Sequence, residues 1–408
     1  MTAFEVDVVV AGGGAAGLFA AATAAARGRN VALLEKNERP GLKILISGGG
    51  RCNVTTTRSG KDLERQYGER RGRFLRHALH SLRPVDVIDH FQALGVPLHE
   101  EDLEKIFPVS RKARDVLEAL LRDCRAKGAR LCVNEPVRGI GRAGERFAVS
   151  TSRGEWIAHS VVLATGGLSY PKTGATGDGY AFARAFGHTV TGTVPALAPL
   201  SVDEPWIREL QGIVLQDVEI AALDGDGRVV NRRTRPILFT HKGLSGPAPM
   251  DLAGDIEERH GGFVRLDFAP TKTPEQLEAE WLEAARYHGK RNAASLLPAS
   301  LPERVRSALC AIAGCADTTL ANLDRGARQR LLRAVKDLRI RCARSLGFDH
   351  AEVTRGGISL DEVDPKTMES RLQKGLFLCG EILDVDGPIG GFNFQAAFGT
   401  GRLAGQNA

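Results

Sequence analysis

Apolar residues in this chain fall in short blocks separated by glycine. Val6-Asp7-Val8-Val9-Val10 is β-branched and lacks the alternation of a half-wet strand, so it predicts a buried parallel strand. A small-residue segment over 15–27 predicts a helix, and Val31-Ala32-Leu33-Leu34-Glu35 predicts a second buried strand ending on an acid. Two further apolar blocks, residues 160–163 and 375–379, also run into glycine. Between these blocks, residues 193–269 read as short strands broken by turn signals at Asp224-Gly225-Asp226-Gly227, Pro236 and Gly261-Gly262. Residues 273–336 are helical by pattern, with Pro274 and Pro302 near two helix starts. Residues 337–350 return to β, and a last helix is expected over 395–406.

Length and composition narrow the class. A chain of 408 residues exceeds what one core usually absorbs, so two or three domains are expected. Hydrophobic and charged fractions of 43% and 25% are those of an ordinary globular protein. Lys and Arg exceed Asp and Glu by 55 − 49 = 6, a weak pull toward acidic partners. The seven cysteines are scattered and form no C-x-x-C pair, which argues for a reducing cytoplasm and against a zinc site or disulfide framework. The uncharged stretch 8–26 is not read as a leader or membrane span, because three glycines interrupt it and Glu5 and Asp7 precede it. No membrane association is expected.

Gly12-Gly13-Gly14-Ala15-Ala16-Gly17 sits between the first strand and the small-residue helix, which is the dinucleotide-binding fingerprint in its required context. Gly12 permits a tight turn, Gly14 lets a pyrophosphate approach the backbone, and Gly17 lets helix and strand pack closely. Ala15 and Ala16 open the helix, whose free N–H groups and partial positive charge face the phosphates. Glu35 is placed to accept from ribose hydroxyls, with Lys36 beside it. This motif alone does not separate FAD from NAD.

Later segments do. The strand S-V-V-L running into Ala164-Thr165-Gly166-Gly167 is similar to the segment by which FAD proteins of the glutathione-reductase-like superfamily return to their first domain. The 375–379 strand continues into Gly380 and Glu381, then Asp384; either acid is a candidate for the ribityl chain. Gly390, Gly391, Phe392, Asn393 and Gln395 open the last helix, whose N-terminus is expected to face the pyrimidine edge of a flavin. A Gly-rich loop over 43–55 adds Lys43, Ser47, Gly48, Gly49, Arg51, Cys52 and Asn53 to the candidate cofactor residues, with Lys43 and Arg51 as pyrophosphate counter-charges. Only one cysteine is present there, so no dithiol relay is expected. No second G-x-G-x-x-G occurs in strand–helix context, so NAD(P)H is expected as a transient donor.

The segments KILISGGGRCNVT (43–55), KIFPVSRKARDVLEAL (105–120), THKGLSGPA (240–248), VTRGGISLDEVDPKTMES (353–370) and GEILDVDGPIGGFNFQAAFGTG (380–401) together resemble the BaiN/RdsA family of NAD(P)/FAD-dependent oxidoreductases. Departures are small: Lys242 stands where an aromatic is common, and Phe394 where an aliphatic is. The resemblance implies an α/β fold, a Rossmann-type FAD-binding domain with an inserted domain made of a β-rich part and a helical part. On that reading the FAD domain spans 1–192 plus 352–408, the β-rich insert 193–272 plus 337–351, and the helical subdomain 273–336. Activities in the family differ. Some members reduce a conjugated C=C in steroid-like enones and others reduce a uracil of large-subunit ribosomal RNA. An amine-oxidase activity is assigned in the broader group.

A flavin supplies hydride chemistry, so the protein must place the substrate and a proton donor. Cys52 and His241 are the catalytic candidates, with Tyr170 a lesser one. Each also has a bland reading, as a packed thiol or a structural ring. Two basic stretches, 65–83 and 325–344, are either solvated helix faces or a phosphate-tracking surface for ribosomal RNA. The leading expectation is reduction of an rRNA uracil with NAD(P)H. The alternatives are a steroid-like enone reductase, an oxidase or dehydrogenase of a small amine or acid, and a non-enzymatic RNA-binding flavoprotein.

Overall fold

The first valine run lies in a strand, β1 (Ala3–Ala11), whose last four residues are buried. The structure is a computed structural model and describes residues 3–408. After β1 come α1 (Ala15–Ala26), β2 (Val31–Leu34), α2 (Leu42–Gly50), α3 (Glu69–Ser81) and α4 (Ala113–Ala126). The strands β3 (Arg130–Cys132), β4 (Val137–Ala143), β5 (Arg146–Thr151) and β6 (Glu155–Leu163) follow. Much later in the chain β7 (Leu376–Leu378) and α5 (Phe392–Asn407) complete the same body. By contact clustering the chain forms two units, one of residues 3–194 with 351–408 and one of residues 195–350.

The sheet of the first unit runs β3-β2-β1-β6-β5-β4. Its β3, β2, β1 and β6 are mutually parallel, which demands crossovers and burial on both faces; Val8, Val9, Val10, Val31, Ala32 and Leu33 are at most 1% exposed. One edge of β6 carries β1 along its length. Its other edge is shared: β5 pairs antiparallel with residues 155–158, and β7 pairs parallel with residues 161–163.

Small residues set how closely the helices approach. A Cβ added to Gly401 on α5 would stand 2.3 Å from the Ala16 carbonyl oxygen of α1, and one at Gly405 would stand 2.3 Å from that of Ala20. On another side of α5, a Cβ at Gly399 would lie 2.8 Å from the Ala78 carbonyl oxygen of α3. Each glycine costs about 1 kcal/mol of helix propensity, which the close backbone approach must offset. The expected start of this last helix at Gln395 moves to Phe392, because Gly391, at φ +85°, turns the chain in ahead of it. The expected 43–55 loop is partly a helix as well: α2 covers its first half and breaks at Ser47, Gly48 and Gly49.

The second unit holds two antiparallel sheets. One has five short strands in the order Val214–Leu215, Ile237–Thr240, Gly243–Ser245, Leu200–Ser201, Arg344–Ser345. The other has four, in the order Val229–Thr234, Glu219–Leu223, Gly262–Asp267, Leu338–Cys342. Three longer helices accompany them. Pro274–Tyr287 starts at a capping box of Thr273 and Gln276. Glu303–Ile312 starts after Pro302, and Arg325–Lys336 after Asp324, whose Oδ1 accepts from Ala327 N–H at 2.7 Å.

Candidate cofactor site

Gly12 and Gly14 lie in the turn between β1 and α1 and Gly17 in the first turn of α1, in different surroundings. Gly12 has φ +104°, and a Cβ there would lie 2.6 Å from the Ala164 carbonyl oxygen. A Cβ at Gly17 would lie 1.9 Å from the Gly12 carbonyl oxygen. Both glycines are therefore required by the fold itself. Gly14 differs: it is extended (φ −79°, ψ −172°), caps α1 without a side-chain hydrogen bond, and has nothing within 4 Å of an added Cβ. Open space thus fronts the uncapped N-terminus of a 12-residue helix.

Glu35 is buried beside this turn. Its Oε2 accepts from Gly13 N–H at 2.9 Å, and its Oε1 accepts from the Asn37 backbone and side-chain N–H groups, each at 2.8 Å. The carboxylate is thus held against the glycine turn. Lys36 pairs with Asp178 at 2.8 Å. Gly380 meets the same turn from the far end of the chain, since a Cβ there would lie 2.7 Å from the Ala16 Cβ, with Ala15 preceding it on α1. The structure therefore brings residues 12–17 and 380 together.

Just beyond β6, Thr165 Oγ1 is buried with no hydrogen-bond partner among the described residues, and Gly166 has φ +74°. Tyr180 Oη is in the same state, and burial pushes the pKa of its hydroxyl up, with Glu381 and Asp384 adding to the shift. No sequence signal marked Tyr180. Glu381 pairs with Lys43 at 2.6 Å and accepts from Thr354 N–H at 2.9 Å. Thr354 is fully buried, and its Oγ1 accepts from the N–H groups of Leu168 (2.8 Å) and Ser169 (3.2 Å). Thr354→Val would strand both donors in the interior. A loss of about 3 kcal/mol is expected, at roughly 1–3 kcal/mol per buried orphan, and a melting curve that matches wild type would contradict this account.

The broken end of α2 adds a second glycine face. Gly48 and Gly49 have φ +54° and +68°, and nothing lies within 4 Å of a Cβ at Gly49. Its neighbours are engaged within the protein. Ser47 Oγ donates to the Ile44 carbonyl at 2.7 Å, and Asn53 Oδ1 accepts from Ile106 N–H at 3.2 Å. Arg51, expected as a pyrophosphate counter-charge, instead pairs with Glu101 at 2.9 Å and lies over the Phe107 ring at 4.3 Å. Cys52 is 0% exposed, and burial pushes its thiol up to about 12, against a lowering hydrogen bond with Ser47. A thiol that deeply covered cannot reach a substrate, which argues against Cys52 as proton donor.

The N-terminus of α5 is locked from several directions. A Cβ at Gly391 would lie 2.3 Å from the Thr55 carbonyl oxygen, and Gly390 has φ +142°. Asn393 exchanges two 2.9 Å hydrogen bonds with the Gly387 backbone, and Tyr67 Oη donates to the Phe392 carbonyl at 2.7 Å. Gln395 was expected to face the flavin. It is fully buried, accepts from Thr55 Oγ1 at 2.6 Å and donates to the Leu82 carbonyl at 2.5 Å, so its amide holds the helix in place. Arg71 forks between Asp384 (2.8 Å) and Asp386 (3.0 Å), and Arg355 reaches Asp386 at 3.1 Å. Asp384 is thereby committed to Arg71, as Glu381 is to Lys43 and Thr354.

The other candidates fall elsewhere. His241 is exposed in the turn between Ile237–Thr240 and Gly243–Ser245 of the second unit. Tyr170, at φ +54°, is half-buried in the first, and burial raises its pKa, with Glu352 adding to the shift. Of the six arginines in the 65–83 stretch, Arg70, Arg71, Arg73, Arg76 and Arg83 are ion-paired. That stretch is therefore largely neutralised.

A dinucleotide fits these residues on structural grounds. An uncapped helix N-terminus faces open space at Gly14, a second glycine face opens at Gly49, and two buried hydroxyls lack partners. Comparison with known proteins points the same way. The sequence profile of the HI0933-like protein Rossmann domain family matches residues 6–407. The chain is 32% identical over 402 residues to the ribosomal RNA dihydrouridine synthase of Escherichia coli, covering 98% of this chain and 97% of that protein. It is also 32% identical over 409 residues to the 3-dehydro-bile acid delta(4,6)-reductase of Clostridium scindens, covering 98% of each. Among solved structures, an E. coli quinol fumarate reductase superposes with a TM-score of 0.52 at 17% identity, covering 100% of this chain and 70% of that one, a likeness of fold. No helix among the described residues is long and apolar enough to cross a membrane. The chain belongs to the HI0933-like Rossmann family and is an FAD-dependent oxidoreductase.

Proposed function

We propose that this chain uses NAD(P)H to reduce the conjugated C=C of a uracil in ribosomal RNA, giving dihydrouridine. The observation that carries this reading is the end-to-end similarity to the E. coli ribosomal RNA dihydrouridine synthase. Bound FAD supplies the hydride for one carbon of the double bond. The protein must bind the cofactor, orient the ring and deliver a proton to the other carbon.

The N–H groups at the start of α1, fronted by Gly14, take the pyrophosphate, and Glu35 takes the adenosine ribose. Thr165 Oγ1 and Tyr180 Oη are the buried hydroxyls left to hydrogen-bond the cofactor. Lys43 and Glu381 position each other, and the N-terminus of α5 would offer its partial positive charge to the flavin's pyrimidine edge. With Cys52 fully covered, His241 and Tyr170 remain as proton-donor candidates.

Mass-spectrometric mapping of ribosomal RNA from a deletion strain tests the reading. Loss of one dihydrouridine, restored by the wild-type gene, is expected; unchanged dihydrouridine would sink it. The similarity to the bile acid reductase favours a second reading, reduction of a steroid-like enone. The same hydride-plus-proton chemistry serves both, so anaerobic turnover of a Δ4,6-3-ketosteroid with unaltered ribosomal RNA would select that one.

A further inference from the structure

The four-stranded sheet of the second unit has one buried face and one that carries arginine. Side chains alternate along a strand, so the registers decide which residues share a face. Arg341 stands opposite Phe263, Arg339 opposite Arg265, Arg265 opposite Ala221, and Ala221 opposite Arg232. These residues occupy one face. Ile220, Val264, Leu266 and Ile340, on the other face, are at most 2% exposed; on the arginine face Ala221 and Leu223 are covered as well, between the longer side chains.

The arginine face is unusual in charge and in its one aromatic. Arg232, Arg339 and Arg341 are exposed, and Phe263 is 46% exposed in their midst. Two carboxylates lie within the face: Glu219, bonded to Arg265 at 2.7 Å and 4.0 Å from Arg232, and opposite it the buried Asp267, paired with Lys336 at 2.7 Å. Asp337 at its edge pairs with Arg339 at 3.1 Å. Arg341 has no hydrogen bond or ion pair among the described residues. A single exposed phenylalanine is ordinary. Here it sits on a sheet face where Arg265 and Arg339 are neighbours across strands, about 4.8 Å apart, and Arg339 and Arg341 are two residues apart along one, about 6.7 Å. A protein partner favours a desolvated apolar centre, whereas this centre is guanidinium around one ring. That combination matches a nucleic-acid strand: phosphates for the arginines and a base for the ring.

We propose that this face docks a single-stranded segment of ribosomal RNA, one base stacking on Phe263 while Arg341, Arg339 and Arg232 take phosphates. The inference rests on the ribosomal RNA reading above and adds the surface that holds the substrate. Like most of the 65–83 arginines, Arg232 and Arg339 have carboxylate neighbours; Arg341 beside Phe263 has none among the described residues.

The test measures binding of a fluorescent oligouridylate to the FAD-loaded full chain over a range of salt. Phe263→Ala is expected to weaken binding about five- to hundredfold, the worth of one stacked base. Arg341→Glu is expected to weaken it about tenfold and to flatten the log–log salt slope by about 0.7, the share of one phosphate on a single strand. Lys374→Glu, an equal charge change on an exposed residue of the first unit, should leave affinity near wild type. Bound FAD and melting temperature serve as folding controls for all three. If wild type binds and modifies RNA while Phe263→Ala and Arg341→Glu bind equally well with the same slope, this surface is overturned and the ribosomal RNA reading stands. If wild type neither binds the oligonucleotide nor alters ribosomal RNA in cells, both fall together.

Discussion

Gly14→Val should fold normally and yet lose its FAD. Gly14 has ordinary extended dihedrals, and no atom lies within 4 Å of an added Cβ, so the protein alone has no steric reason to object. The room in front of it is where the pyrophosphate is assigned. A branched side chain there should weaken FAD at least a hundredfold, or about 2.8 kcal/mol at about 1.4 kcal/mol per tenfold. The purified variant is expected colourless, with wild-type far-UV circular dichroism and a melting temperature near that of cofactor-stripped wild type. A yellow, fully loaded Gly14→Val would remove the pyrophosphate from this position. Gly17→Ala gives the contrast: its Cβ would stand 1.9 Å from the Gly12 carbonyl oxygen, so it should damage the turn whether or not FAD is present.

Gly401→Val is expected to destabilise the protein strongly through a helix–helix contact. Its Cβ alone would lie 2.3 Å from the Ala16 carbonyl oxygen, a backbone atom of α1 that cannot rotate away. Forcing α1 and α5 apart disturbs packing that includes Phe19 and Phe398, whose rings are 4.5 Å apart. Overpacking of this kind costs about 3 kcal/mol or more, and at roughly 2–4 °C per kcal/mol the melting temperature should fall by about 6–12 °C. The readout is thermal unfolding of purified protein, with soluble yield as a second measure. Wild-type stability would show that the two helices can separate without penalty.

The parts of the fold legible from sequence were those whose cause is local. Three consecutive valines buried on both faces read as a central parallel strand because no other environment suits them, and the glycines after them fall at the turn into α1. The chain's return to that sheet through residues 160–163 and 376–378 was visible as apolar blocks, and both blocks are strands. What escaped depends on pairs hundreds of positions apart. Nothing near Arg71 announces that Asp384 and Asp386 will receive it, so it read as one member of a basic stretch. Gln395 looked like a ligand because it opens a helix, yet its amide is spent on Thr55 and Leu82. Glycine also misled. The segment 43–55 read as loop throughout, although α2 covers its first residues before the chain leaves helical dihedrals at Ser47, Gly48 and Gly49. Thr354 and Tyr180 carried no signal at all, since a lone threonine or tyrosine declares its hydrogen bonds only once its neighbours are known.

The shared edge of β6 has a consequence for how the protein is made. During translation, residues 161–163 emerge more than two hundred positions ahead of the β7 segment that pairs with them. Until then the nascent chain exposes an unpaired strand edge and the small-residue face of α1 that α5 will cover. The whole second unit must leave the ribosome before that gap is closed. Stalled or prematurely released chains ending between residues 200 and 370 are thus expected to be sticky, chaperone-dependent species. Gly380 can meet Ala16 at the glycine turn only in a polypeptide synthesised past residue 380.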